Sequence, residues 1–187
     1  SNNTIFIVTS DHGDMQMERQ QIYKQVPYEP STLVPLIIYD PRRNDERADR
    51  SRKNYVVHTP TQHVDLYPTI MTLANIPKHQ IPKQLDGSSV IPVMNPMTLF
   101  QTSQRQLRSK NSHSFKNRIT HPNYAVSQYH GDNTAMSWFS IVRPMSCCYR
   151  PGNKTATDKL CITKLVVWGT GNEVDSQLFD LTNDPEE

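Results

Sequence analysis

Residues 5–8, Ile-Phe-Ile-Val, are continuously apolar, and they give way at once to Thr9-Ser10-Asp11-His12-Gly13. That switch constrains the fold more than any other feature. A strand-length run with no polar alternation has two faces to bury, which predicts a buried strand of parallel type inside an α/β sheet. The loop at the carboxyl end of such a strand is where open α/β folds gather ligand groups. Asp11 and His12 put a carboxylate and an imidazole there, and Gly13 admits backbone angles that other residues avoid. On spacing alone two roles stay open for the pair: metal ligands, or a helix-capping Asp beside an exposed His.

Residues 33–39 repeat the buried-strand pattern, with Pro35 confined to the strand start or a bulge because it has no N–H to donate. Residues 42–54 are dense in both charge signs and predict a solvated excursion. Residues 55–57 predict a brief strand. Asp65 predicts the cap of a helix with Pro68 in its first turn and Leu66, Ile70, Leu73 and Ala74 at helical spacing, stopped by Asn75-Ile76-Pro77. Residues 99–121 are polar and carry Arg105, Arg108, Lys110, Lys116 and Arg118 without an acidic residue. They predict an exposed linker, with a patch for an anionic polymer as the sharper reading. Residues 124–129, 137–142, 160–168 and 177–181 have strand character and predict a small antiparallel sheet. The organisation expected is therefore α/β sequence over 1–98, a linker over 99–121 and an antiparallel subdomain over 122–187. Asn183 or Asp184 with Pro185 predicts a helix start that has no body, and the first strand begins almost at once, so the chain reads as cut at both ends.

Charged residues are 20% and apolar ones 35% of the 187, the balance of a globular chain. A net charge of +2 is too small to imply a nucleic-acid face, and none is expected. No run approaches the roughly 20 apolar residues of a membrane span. Cys147, Cys148 and Cys161 lack the spacing of a zinc ribbon or a redox pair. Either Cys161 bridges to Cys147 or Cys148, or all three are free. Sequons at Asn2 and Asn153 are candidate glycosylation sites and point to a secreted or lysosomal protein.

Thr9-Ser10-Asp11-His12-Gly13 resembles the metal-binding loop shared across the alkaline phosphatase superfamily. Lys24 followed by Tyr28-Glu29 and an apolar strand is similar to the sulfatase pattern within it. His63-Val64-Asp65-Leu66-Tyr67-Pro68-Thr69, Leu85-Asp86-Gly87-Ser88-Ser89, and Leu178-Phe179-Asp180-Leu181 with Asn183-Asp184-Pro185 are further sulfatase-like matches, in family order. One departure is Pro30-Ser31, where Gly-Gly is common after Tyr-Glu.

This resemblance implies an alkaline-phosphatase-like α/β fold with a small antiparallel-sheet subdomain, and a sulfuric ester hydrolase acting on an aryl sulfate or a sulfated carbohydrate such as a glycosaminoglycan sugar. It implies a calcium ion completed by Asp11 and His12, although calcium prefers oxygen donors. It also implies a formylglycine nucleophile made from Cys-x-Pro-x-Arg, a motif that none of the three cysteines occupies. The nucleophile is accordingly expected outside these residues, and the chain alone is expected to be inactive. Lys24 is then the cation for a sulfate oxygen and the leaving oxygen, and His130, in the loop before Gly131-Asp132-Asn133, a catalytic or substrate-binding residue. Glu18, Arg19 and Glu29 are candidates for orienting the metal loop, and Met15, Met17 and Tyr23 for packing. Two other functions remain open: a metal-dependent phosphodiesterase or phosphomutase of the same superfamily, and a sulfatase-like glycan-binding protein without activity.

Overall fold

The computed structural model describes residues 3–43, 56–94, 121–146, 160–185 and 187. The chain forms two compact units, Ser1–Val56 with Val126–Glu187, and Val57–Ala125. Asn2, Asn153, Cys147, Cys148, and nearly all of the charged 42–54 and polar 99–121 stretches lie outside the described residues.

In the first unit, β1 (Phe6–Thr9) pairs with β4 (Leu36–Tyr39). The pairing is antiparallel, Phe6 opposite Tyr39 and Thr9 opposite Leu36, which corrects the parallel expectation. The strands are not buried either. Phe6, Val8, Ile37 and Tyr39 share one face of this two-stranded ribbon and all are exposed, because no described element covers them. Pro35 stands just before β4, where its missing N–H costs no ladder bond.

Between them the chain makes a tight hairpin from β2 (Met15–Gln16) and β3 (Ile22–Tyr23), Met15 facing Tyr23 and Gln16 facing Ile22. Met17, Arg19, Gln20 and Tyr23 all take positive φ, a left-handed bend that non-glycine residues adopt only when their surroundings hold them there. The Met17 N–H to Gln21 carbonyl bond, 3.0 Å, closes it. Arg19 at its tip lies 4.7 Å over the Tyr28 ring and 5.6 Å from that of Phe179. A helical turn, α1 (Glu29–Thr32), follows.

The expected small sheet is present, in the order β5 (Ala125–Tyr129), β6 (Trp138–Ser146), β7 (Leu160–Trp168) and β8 (Gln177–Asp180). Its pairings β6–β7 and β7–β8 are antiparallel. Trp138 and Ser140 on β6, Lys164 and Val166 on β7 are buried on one face. Cys161, in β7, is disulfide-bonded, so the bridged alternative holds. Residues 181–185 form turns closed on the Asp180 carbonyl, not a helix start.

In the second unit, a 3-10 turn (His63–Asp65) leads into α2 (Leu66–Leu73). Asp65 does not cap α2 as expected. Its carboxylate turns back to accept the Gln62 N–H at 2.9 Å and across to accept the Ser88 N–H at 2.7 Å, while His121 Nε2 lies at 2.9 Å. His121 is therefore a buried residue, not part of an exposed linker. Burial alone would raise the Asp65 pKa, but the bonds from His121, Ser88 and Gln62 outweigh it and hold the carboxyl below its ordinary range. The buried face of α2 is Pro68, Thr69 and Leu73, whereas Ile70 faces outward. The helix stops where expected. Asn75 takes φ 57°, and the Asn75 and Ile76 N–H groups close on the Thr72 and Met71 carbonyls, a Schellman ending. Gly87 is required next to Ser88, since a Cβ there would meet the Val64 carbonyl oxygen at 1.9 Å. Val56 and Val57 form no strand.

Candidate active site

The hairpin returns the chain on itself, and this converts a separation of twelve residues into a contact: Lys24 Nζ lies 2.6 Å from His12 Nε2. The tautomer of His12 follows from its partners. Nδ1 lies 2.7 Å from the Gly13 carbonyl, which can only accept, so Nδ1 carries the proton. Nε2 is then bare and takes the Lys24 ammonium as donor. Asp11 Oδ2 stands 3.3 Å from the same nitrogen, an adjacent charge and not a second hydrogen bond.

Asp11 itself is 82% exposed at its side chain. The His12 backbone N–H donates to Oδ1 at 3.0 Å and is the main cause that holds its carboxyl below the ordinary range; the His12 ring and Ser10 act in the same direction, burial in the other. Ser10 Oγ also donates to the His12 carbonyl at 2.7 Å, which stiffens the loop.

The loop is seated on the segment that departs from the family pattern. Gly13 N–H donates to the Ser31 carbonyl at 2.8 Å, and a Cβ on Gly13 would meet the Pro30 carbonyl oxygen at 1.9 Å. Close approach of two backbones, not a turn angle, is what requires glycine here. Ser31 Oγ donates to the Lys24 carbonyl at 2.7 Å.

Asp11, His12 and Lys24 are thus brought together; His130 is placed by the sheet instead. It is exposed at the end of β5, beside an open cleft of about 530 Å³ whose lining includes Tyr129, Asn133, Trp138, Phe139 and Gly169. Ser137 Oγ accepts from the Gly131 N–H at 3.1 Å and donates to the Asn133 carbonyl at 3.1 Å, fixing the loop after His130.

Of the residues expected to orient the metal loop, Glu29 has another partner. Its carboxylate accepts from Lys164 Nζ at 2.8 Å, and Glu187 stands 2.8 Å from the same nitrogen. Lys164 is wholly buried, with Thr32 Oγ1 at 3.3 Å as a further contact. Arg19 stacks on Tyr28, and Glu18 accepts from the Gln16 N–H. Met15 is buried as a packing residue, but Met17 and Tyr23 are exposed.

Against calcium, the donor set is incomplete. That ion takes six to eight oxygens. Among the described residues no group of three or more His, Cys, Asp or Glu side chains converges. Asp11 offers an exposed carboxylate, which fits, whereas the His12 nitrogen already holds an ammonium.

The sulfatase family model matches residues 1–76. Arylsulfatase K of Bos taurus is 33% identical over 98% of the chain, and that of Homo sapiens 31% identical over the same share. The chain is a sulfatase-family sequence. It spans about a quarter of these curated relatives, 26% of the bovine and 27% of the human protein. Within the sulfatases, the Asp-His-Gly loop, the Tyr28-Glu29 without following glycines and His130-Gly131 all point to the same branch. The solved structure of BT4656 in complex with its substrate D-glucosamine-2-N,6-O-disulfate shares the fold, with TM-score 0.51 over 99% of this chain and 29% of that one, at 20% identity. The alkaline-phosphatase-like fold expected of the sequence is the fold it has.

Sequence reasoning missed Ser31, Trp138, Lys164 and His121. For Lys164 a signal existed, since in residues 160–168 it shares side-chain parity with Val166 and Trp168 and so had to face inward.

Proposed function

We propose that this sulfatase-family chain supplies part of the site of a sulfuric ester hydrolase: Lys24, held by His12, as the cation that meets sulfate and leaving-group oxygens, and Asp11 as part of a calcium site. The observation that carries this reading is the 2.6 Å approach of Lys24 Nζ to His12 Nε2, with the Asp11 carboxylate alongside. An ammonium set next to a carboxylate and an imidazole can bind an anion that a metal ion also touches. Asp11 is exposed and ionised, as a calcium ligand must be, with the remaining oxygens coming from outside the described residues. When bound, calcium would withdraw charge from a sulfate oxygen. His130 and the aromatic and amide groups of its cleft suit the sugar part of a sulfated carbohydrate, a class consistent with the glucosamine disulfate that BT4656 binds. The nucleophile is a formylglycine outside these 187 residues, so the chain alone turns over no sulfate ester. Sequons at Asn2 and Asn153 and the Cys161 disulfide support a secreted or lysosomal protein.

Assaying the full-length protein on nitrophenyl sulfate, a sulfated glucosamine and the matching phosphate esters tests the reading. Turnover of the sulfates is expected; turnover of phosphate esters alone assigns the site to phosphoryl transfer, and binding without turnover to a glycan-binding protein. In the same protein Asp11→Ala is expected to lower bound calcium, measured by atomic emission, together with activity. Full calcium occupancy in that variant removes Asp11 from the metal.

A further inference from the structure

The carbonyls of two consecutive residues, Lys24 and Gln25, are each gripped by a buried side chain. Ser31 Oγ donates to the Lys24 carbonyl at 2.7 Å, and Trp138 Nε1 donates to the Gln25 carbonyl at 3.0 Å. Ser31 is 3% and Trp138 5% exposed, so both donors sit on rigid ground. Lys24, by contrast, is exposed, with a flexible four-carbon stem whose tip goes wherever its backbone and contacts allow. Ser31 also accepts the Gly13 N–H through its own carbonyl, so one residue ties the Asp11-His12 loop to the lysine. Trp138 brings the four-stranded sheet into the same arrangement, its ring stacked 6.4 Å from that of Tyr129 at the cleft beside His130.

We propose that Ser31 and Trp138 are positioning residues that hold Lys24 against His12 by its main chain. The proposal rests on the reading of Lys24 as the cation at the leaving group. Neither side chain need touch the substrate; each fixes the peptide units from which the ammonium is suspended.

Trp138→Phe keeps an aromatic ring in the core while removing the N–H donor together with part of the indole, and Ser31→Ala removes the hydroxyl and leaves the Gly13 contact, which is made by backbone. In the full-length enzyme each is expected to lower kcat on a sulfated sugar about tenfold, with KM and calcium content unchanged. In a Lys24→Ala background the same substitutions are expected to change kcat by less than about twofold, because the group they position is gone. An equal fall in both backgrounds overturns the proposal and makes the two residues merely structural. A second readout needs no substrate: with lysine 13C-labelled at Cε, Lys24 is expected to become more mobile in both variants while other lysines do not change. Unchanged Lys24 mobility in both overturns the proposal. Should one variant fail to fold, the other gives both readouts. If the wild type turns over no sulfate ester, the functional reading fails and the Lys24 mobility alone decides for or against positioning.

Discussion

Lys24→Ala in the full-length enzyme is expected to lower kcat on a sulfated sugar by roughly 100-fold, equivalent to an electrostatic contact of about 3 kcal/mol in the transition state. As the sulfur–oxygen bond breaks, negative charge accumulates on the departing oxygen, and a cation fixed nearby favours that state over the bound ester. The structure adds why the cation is fixed. Its ammonium bonds to His12, and the peptides on its carboxyl side are anchored by Ser31 and Trp138. Calcium content should not change, which separates this variant from Asp11→Ala. The loss should shrink on nitrophenyl sulfate, whose leaving group departs with little help. Wild-type turnover on both substrates would make Lys24 a bystander and remove the main support for the sulfatase reading.

The largest stability effect is expected at Asp65, in the second unit. Asp65→Ala should cost about 3–5 kcal/mol, measured by denaturant unfolding, because it orphans three donors at once in a buried site. Those donors are the Gln62 and Ser88 N–H groups and the His121 ring. The His121 Nδ1 accepts from the Asn123 N–H at 3.2 Å, so the proton facing Asp65 is on Nε2. The pH dependence has a definite sign. A carboxyl whose folded pKa is lowered contributes stability that is fully present above its unfolded value, about 3.9, and lost as pH falls through the folded one. Asp65→Asn should flatten that acid limb. An Asp65→Ala variant that unfolds at the wild-type midpoint would show that the three bonds contribute nothing net.

The elements of the small sheet were legible because each strand has its own turn-bounded apolar pattern, and β7 was found at its observed ends. Local chemistry also marked the end of α2, where Asn75 supplies the left-handed residue that stops a helix. What could not be read were properties set by other parts of the chain. Continuous apolar character in residues 5–8 and 36–39 predicts two buried faces and does not say which strand lies next to which; the pairing proved antiparallel, and one face is exposed. Asp65 has the residue type of a cap, yet its carboxylate is claimed by Ser88 and His121 from 23 and 56 residues away. Motif order singled out Asp11, His12 and Lys24, and the structure brings these three together. Their supports escaped notice because Ser31 and Trp138 act through backbone carbonyls, which leave no trace in residue type.

That mode of support has a consequence for how such a protein can diverge. Every amino acid carries a carbonyl, so what is gripped at positions 24 and 25 does not depend on which side chain stands there. Gln25, exposed and bonded to Trp138 through its main chain, can be exchanged for almost any other residue without moving its neighbour. The surface beside the ammonium is thereby free to drift, and with it the shape offered to a leaving group. Changes at Ser31 or Trp138 meet the opposite fate, because there the side chain is the hand and the backbone only the handle.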